Sequence, residues 1–212
     1  MQKYILIALI LVGALSCQEA EKELPILGNK TEKDGEMIYH TIPDFSFVNQ
    51  DSQVVNNATF DNKAYVVDFF FISCPTICPK VKKQMLRIYD VYKDNENLSL
   101  LSHTVDTKRD TVGRLKKYSS NIGVSAPAWH FVTGDKDEIY EIADDYFSIV
   151  KEVTEENDGA EAVKLTGGFD HSGRLILVDK NRHIRAFCDG TDEKDVTEFM
   201  KDIEILLAEN KE

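Results

Sequence analysis

Residues Ala64 to Ile72 read Ala-Tyr-Val-Val-Asp-Phe-Phe-Phe-Ile, an almost unbroken apolar run rich in β-branched and aromatic side chains. Such a run suits a strand covered on both faces, which puts it at the centre of a sheet with layers on either side. The next segment is equally restrictive. Cys74-Pro75-Thr76-Ile77-Cys78-Pro79 leads into Val81, Met85, Ile88, Val91 and Tyr92, which recur at helical spacing to about Asp94. Proline lacks an N–H and clashes with the preceding turn inside a helix, but it fits the first helical position. Pro79 there predicts Cys78 as the N-cap. A thiolate at that point would feel the positive end of the helix dipole, which lowers a thiol pKa.

The rest of the chain alternates in the same way. Phe45 and Phe47, then Val54-Val55, predict a short hairpin around Asn49 to Gln53. Strands are expected over 98–105 and 128–132, and helices over 79–94, 111–118, 136–147 and 192–208. Leu175 to Val178 and Ile184 to Phe187 flank Asp179-Lys180-Asn181-Arg182 as a second hairpin. Alternating strands and helices that end in a hairpin and a helix give one α/β domain. The acidic stretch Glu152 to Gly159 is expected to be a solvated loop insertion.

The N-terminus carries a different signal. Lys3 precedes an apolar run from Tyr4 to Leu15, interrupted only by Gly13. That length fits a secretory signal and is too short for a spanning helix. The run ends in Ala14-Leu15-Ser16-Cys17, which resembles a bacterial lipobox with Ala14 and Leu15 in swapped order. Residues 1–16 are therefore expected to be a lipoprotein signal peptide, Cys17 the lipidated residue, 17–40 an acidic flexible tether and 41–212 the folded domain. The protein is expected to be exported and anchored to a bacterial membrane by Cys17, its domain in the periplasm or on the outer face of the cytoplasmic membrane. An uncleaved anchor and a soluble secreted protein are the alternatives. Charge adds one exclusion. Lys plus Arg number 25 against 37 Asp plus Glu, a formal net charge of −12, which argues against nucleic acid as a partner.

Four cysteines remain to be assigned. Cys74 and Cys78 are close enough to form a disulfide and exchange electrons, or to bind a soft metal, with Cu(I) the best candidate outside the cytosol. A plain stabilising disulfide would close a very short loop with little entropic gain. No second cysteine pair exists to complete a four-cysteine zinc site. A third ligand would be a histidine. His40 lies near the tether, His183 in the hairpin, and His103 and His130 in strands. His171 sits in Gly167-Gly168-Phe169-Asp170-His171-Ser172-Gly173, a glycine-rich loop able to swing an imidazole over another strand's end. The residues alone favour His171 only slightly over His103. Asp170 could orient His171 or cap the turn. Cys188 reads by default as a buried, inert thiol, with an additional thiol near the site as the alternative.

From about Pro43 to about Leu206 the sequence resembles the Sco/SenC family, thioredoxin-like copper chaperones of cytochrome c oxidase assembly. The motifs are Pro43-Asp44-Phe45, Val67-Asp68-Phe69-Phe70-Phe71 before Cys74-xxx-Cys78-Pro79, Thr104 to Thr111, Asp170-His171-Ser172 and Leu177-Val178-Asp179. The resemblance implies a thioredoxin-like α/β fold, a central mixed β-sheet flanked by helices with an N-terminal hairpin and an insertion. It implies Cys74, Cys78 and His171 as copper ligands for Cu(I) or Cu(II). It implies cytochrome c oxidase subunit II or another copper acceptor as partner, together with a copper donor. Three features depart from the family pattern: Thr107 where proline is common after Val-Asp, the glycine-free lead into Cys74, and Cys188, which is not a family ligand. The expected function is a metallochaperone without turnover. A thiol–disulfide oxidoreductase using Cys74 and Cys78 is the alternative, and no peroxidase motif is present.

Overall fold

The computed structural model describes residues 23–209. The signal, Cys17 and the first part of the tether lie outside the described residues.

The strand expected at the centre is there. β5 (Ala64–Phe70) is buried along its whole length, as is β6 (Leu98–Thr104) beside it. Before them come β1 (Lys30–Lys33), β2 (Glu36–Tyr39), β3 (Ser46–Asn49) and β4 (Val54–Asn56). After β5 come α1 (Cys78–Tyr92), β6, α2 (Val112–Asn121), β7 (Trp129–Thr133) and α3 (Lys136–Asp145). The chain closes with β8 (Val150–Glu152), α4 (Glu155–Asp158), α5 (Ala160–Thr166), β9 (Phe169–His171), β10 (Arg174–Val178), β11 (Ile184–Asp189) and α6 (Glu193–Glu209).

Among the described residues, seven strands form one mixed sheet in the order β11-β10-β5-β6-β7-β3-β4, in which β5-β6 and β6-β7 are the parallel pairs. Those two steps are the βαβ crossovers, which leave α1 and α2 side by side on one face, with Lys82 of α1 over the Tyr118 ring of α2. α6 joins them there, Tyr92 donating to the Met200 carbonyl. α3 covers the other face, where Tyr146 after its end packs on Phe69 and meets Tyr65. This is the thioredoxin-like arrangement of a mixed sheet flanked by helices.

Four expectations need correction. Cys78 is the first helical residue and Ile77 the N-cap, so Pro79 is one position further in. The first turn of a helix leaves its N–H groups without intrahelical partners, so proline is tolerated there as well. The acidic insertion is not all loop. Thr154 caps α4 by accepting the Asn157 N–H, and β8 pairs with β9 as a separate two-stranded ribbon. His171 therefore ends a short strand rather than lying in an open loop.

The tether read over 17–40 is not free along its described length. Residues 30–39 form the β1–β2 hairpin. Leu24 is buried, its N–H donates to Glu209 and the Leu27 N–H donates to the Ile184 carbonyl. Arg185 gathers this corner, pairing with Asp179 and Glu209 while donating to the Leu24 and Pro25 carbonyls. Charge count along 17–40 reads as solvated; the partners that fix Leu24 lie more than 150 residues away.

Arg185 is only 11% exposed and Asp179 4%. Arg185→Ala removes the guanidinium paired with a nearly buried carboxylate and is expected to cost about 3 kcal/mol. A urea midpoint should fall accordingly, and the Leu27 amide should exchange faster with solvent; an unchanged midpoint would discount the network.

Candidate metal centre

The site stands where β5 leaves the sheet. Beyond Phe70, whose carbonyl still accepts the Val105 N–H, the chain turns away and its backbone groups need new partners. The Ile72 N–H donates to Asp110 at 2.9 Å, and the Cys74 N–H donates to the Phe71 carbonyl. Asp110 is fully buried and also accepts the Thr104 hydroxyl, so one carboxylate binds the cysteine loop to the end of β6. Burial pushes the Asp110 carboxyl up from its ordinary value.

The third member arrives from the insertion. Gly167 adopts φ +73°, and a Cβ there would lie 3.1 Å from both Phe71 and Pro75. Glycine thus lets the insertion's backbone rest directly on the cysteine loop. The Phe71 ring then packs against Phe169 and edge-on against His171. His171 Nε2 lies 3.2 Å from Cys78 Sγ and 4.0 Å from Cys74 Sγ. All three ligand atoms fall within 4.8 Å of one another, and among the described residues no other group of three His, Cys, Asp or Glu side chains meets that condition. The Nδ1–H donates to the Ser172 carbonyl at 3.2 Å, which turns Nε2 toward the two sulfurs.

The other histidines are elsewhere. His103 is buried among Phe45, Phe47, Phe69 and Tyr146 with neither ring nitrogen bonded, and burial holds its pKa down to about 3. His130 meets Asn49, His40 the Asp145 carbonyl, and His183 the Asp179 carboxylate. Asp170 is an exposed residue of β9. Cys188 is buried in β11, outside the cluster, and burial raises its thiol pKa.

The two thiols divide their roles opposite to the sequence expectation. Cys74 is the acidic one, drawn well below the ordinary thiol value. The Cys78 thiol hydrogen-bonded to it is the largest cause; His171 and the N–H groups of Thr76 and Cys78 act in the same direction, against burial. Cys78 is pushed up, because its proton serves that hydrogen bond and because it is buried. The helix N-terminus does act, but through the Cys78 N–H upon Cys74.

A second buried group has no role in the sequence reading. Asp68 of β5 accepts a hydrogen bond from Ser102, whose oxygen accepts the Trp129 indole N–H at 2.8 Å. Burial raises Asp68 to about 6, with Ser102 and His171 opposing. An aspartate inside a run expected to be covered on both faces is itself the signal.

Two soft sulfur donors and one imidazole suit Cu(I), and three ligands fall short of the four usual in structural zinc sites. The same two sulfurs also form a dithiol fit for disulfide exchange.

The sequence model of the family described as SCO1/SenC matches residues 34–208. An SCO2-like protein of Rickettsia typhi is 27% identical over 159 residues, covering 74% of each chain. The solved structure of BsSco, described as a Sco-family cytochrome c oxidase assembly protein with a disulfide switch, is 26% identical with a TM-score of 0.64, over 79% of this chain and 93% of its own. Arabidopsis thaliana ScoI with copper bound shares the fold at 22% identity and a TM-score of 0.61, over 79% of this chain and 98% of its own.

The electrostatics predict two outcomes. Alkylation of the reduced protein by iodoacetamide at about pH 6 should label Cys74 well before Cys78 or Cys188; mass mapping that finds Cys78 labelled first would reverse the assignment. Asp68 is protonated in folded and unfolded chains below its ordinary value of 3.8, so its burial is harmless there. Stability is lost as pH rises through about 6, where the buried carboxyl must ionise. Asp68→Asn should therefore be more stable than wild type by about 2–3 kcal/mol at pH 8 and indistinguishable near pH 3, read by denaturant midpoints.

Proposed function

The chain belongs to the SCO1/SenC family, and from that premise we propose that it is a copper metallochaperone that binds copper through Cys74, Cys78 and His171 and matures the copper A site of cytochrome c oxidase. One observation carries the reading: two sulfurs and an imidazole more than 90 residues away in sequence converge within 4.8 Å. The copper bound in Arabidopsis thaliana ScoI and the oxidase-assembly role stated for BsSco support it. Copper here is cargo. Two thiolates supply soft anionic donors for Cu(I) and His171 completes a three-ligand set, which leaves room for an acceptor's sulfur to enter before the donor's leave. The proposal includes export and a lipid on Cys17, supported by the apolar run before Ser16-Cys17. Among the described residues no helix is long and apolar enough to cross a membrane.

A second reading is favoured by the Cys74 thiolate with a thiol beside it. As a thiol–disulfide oxidoreductase, Cys74 would attack a partner disulfide and release one partner thiolate. Cys78 would then displace the second from the mixed disulfide. Two electrons pass to the partner, and Cys74–Cys78 ends as a disulfide.

Anaerobic titration of the reduced protein with Cu(I) should saturate near about one ion per chain. His171→Ala should weaken Cu(II) binding by about 10-fold or more and leave disulfide exchange near the wild-type rate. Copper affinity indifferent to His171 would remove it from the ligand set. Copper binding lost to Cys74→Ser and Cys78→Ser alone, alongside fast exchange, would favour the reductase.

A further inference from the structure

The lobe that carries His171 is thinly attached. Neither α4 nor α5 contains a buried residue. The lobe meets the body through Phe71 and Pro75, through Val150 and Phe169 packed on the core, through a Lys136–Glu152 ion pair and through Arg109. Arg109 lies in the loop between β6 and α2, the loop whose Asp110 holds the Ile72 N–H of the cysteine segment. Its Nε pairs with the carboxylate of Asp106, which is buried. Its Nη2 donates to the Gly167 carbonyl at 3.2 Å, and its guanidinium stands 5.7 Å over the Phe169 ring. Gly167 and Phe169 begin the segment that ends at His171. A single loop therefore grips both halves of the site, the cysteine side through Asp110 and the histidine side through Arg109.

We propose that Arg109 is a positioning residue of the metal centre, fixing the His171 lobe over the two cysteines without touching the metal. The proposal rests on the copper reading of the site. Cys74 and Cys78 share one loop and helix start, so their separation does not depend on the lobe. His171 reaches them only through it, and a metal bond tolerates a displacement of only about 0.2 Å. Releasing the lobe should therefore loosen the imidazole and leave the dithiol as it was. Lysine is a poor substitute, because one ammonium cannot serve Asp106, the Gly167 carbonyl and the ring as a planar fork does.

The test compares wild type, Arg109→Ala, Arg109→Lys, His171→Ala and the Arg109→Ala/His171→Ala double variant. In copper-free protein, amides between residues 160 and 171 should exchange faster in Arg109→Ala. Cu(II) affinity should fall about 10-fold, with weakened nitrogen hyperfine coupling in the electron paramagnetic resonance spectrum. Arg109→Lys should fall between, and it carries the comparison if Arg109→Ala does not fold. Disulfide-exchange rates should stay at the wild-type value. In the His171→Ala background, Arg109→Ala should have no further effect on copper. Unchanged lobe exchange, unchanged nitrogen coupling, or a copper effect that persists without His171 would each overturn the positioning role. His171→Ala with wild-type copper affinity would instead sink the ligand reading itself.

Discussion

The departure of β5 from the sheet sets the terms for everything around it. A strand paired on both sides has its backbone groups satisfied, and the first residues beyond it do not. Here the missing partner for the Ile72 N–H is a side chain, the buried carboxylate of Asp110, itself held by Thr104 at the end of β6. Two neighbouring strand ends are thereby locked together at the point where the cysteine loop begins. Burial makes this bond strong and makes its loss costly, since either group left alone would be an unsatisfied polar atom in a dry interior. Cys74, two residues beyond Ile72, inherits a fixed origin.

Much of this is legible in the sequence, for identifiable reasons. The apolar run of β5 and the proline after Cys78 are local signals, and local signals fix a strand and a helix start to within a residue or two. The convergence of His171 is not local. Spacing alone ranks it barely above His103, because nothing in a single sequence says which of two strand-end imidazoles faces the thiols. Resemblance supplies that choice, and the geometry gives its cause in Gly167, whose missing side chain admits the lobe against Phe71 and Pro75. Leu24 and Arg185 are illegible for the same reason. An acidic, weakly periodic segment looks solvated until its partners from the far end of the chain are known.

The inversion of the two thiols shows how a correct premise can lead to the wrong atom. A helix N-terminus favours a thiolate, and Cys78 stands at one. Yet the first-turn N–H groups point back along the axis, toward the preceding loop, where Cys74 lies. Cys78 contributes its N–H and its thiol proton to the neighbour and is itself left buried and protonated. Asp68 reinforces the asymmetry, since a buried carboxylate on β5 acts electrostatically to keep Cys78 in its thiol form.

The same asymmetry bears on the two readings of the site. Copper binding needs both sulfurs as thiolates, so a Cu(I) ion must displace the proton that Cys78 shares with Cys74. Disulfide exchange needs only one thiolate to attack and a second sulfur to resolve. A Cys74–Cys78 disulfide has no thiolate left for a metal, and a bound metal occupies the lone pairs that would attack a disulfide. Cargo binding and electron transfer are therefore exclusive states of one pair of atoms, separated by two electrons. On these two readings the redox poise around the protein would decide between the states, with no choice between two different sites.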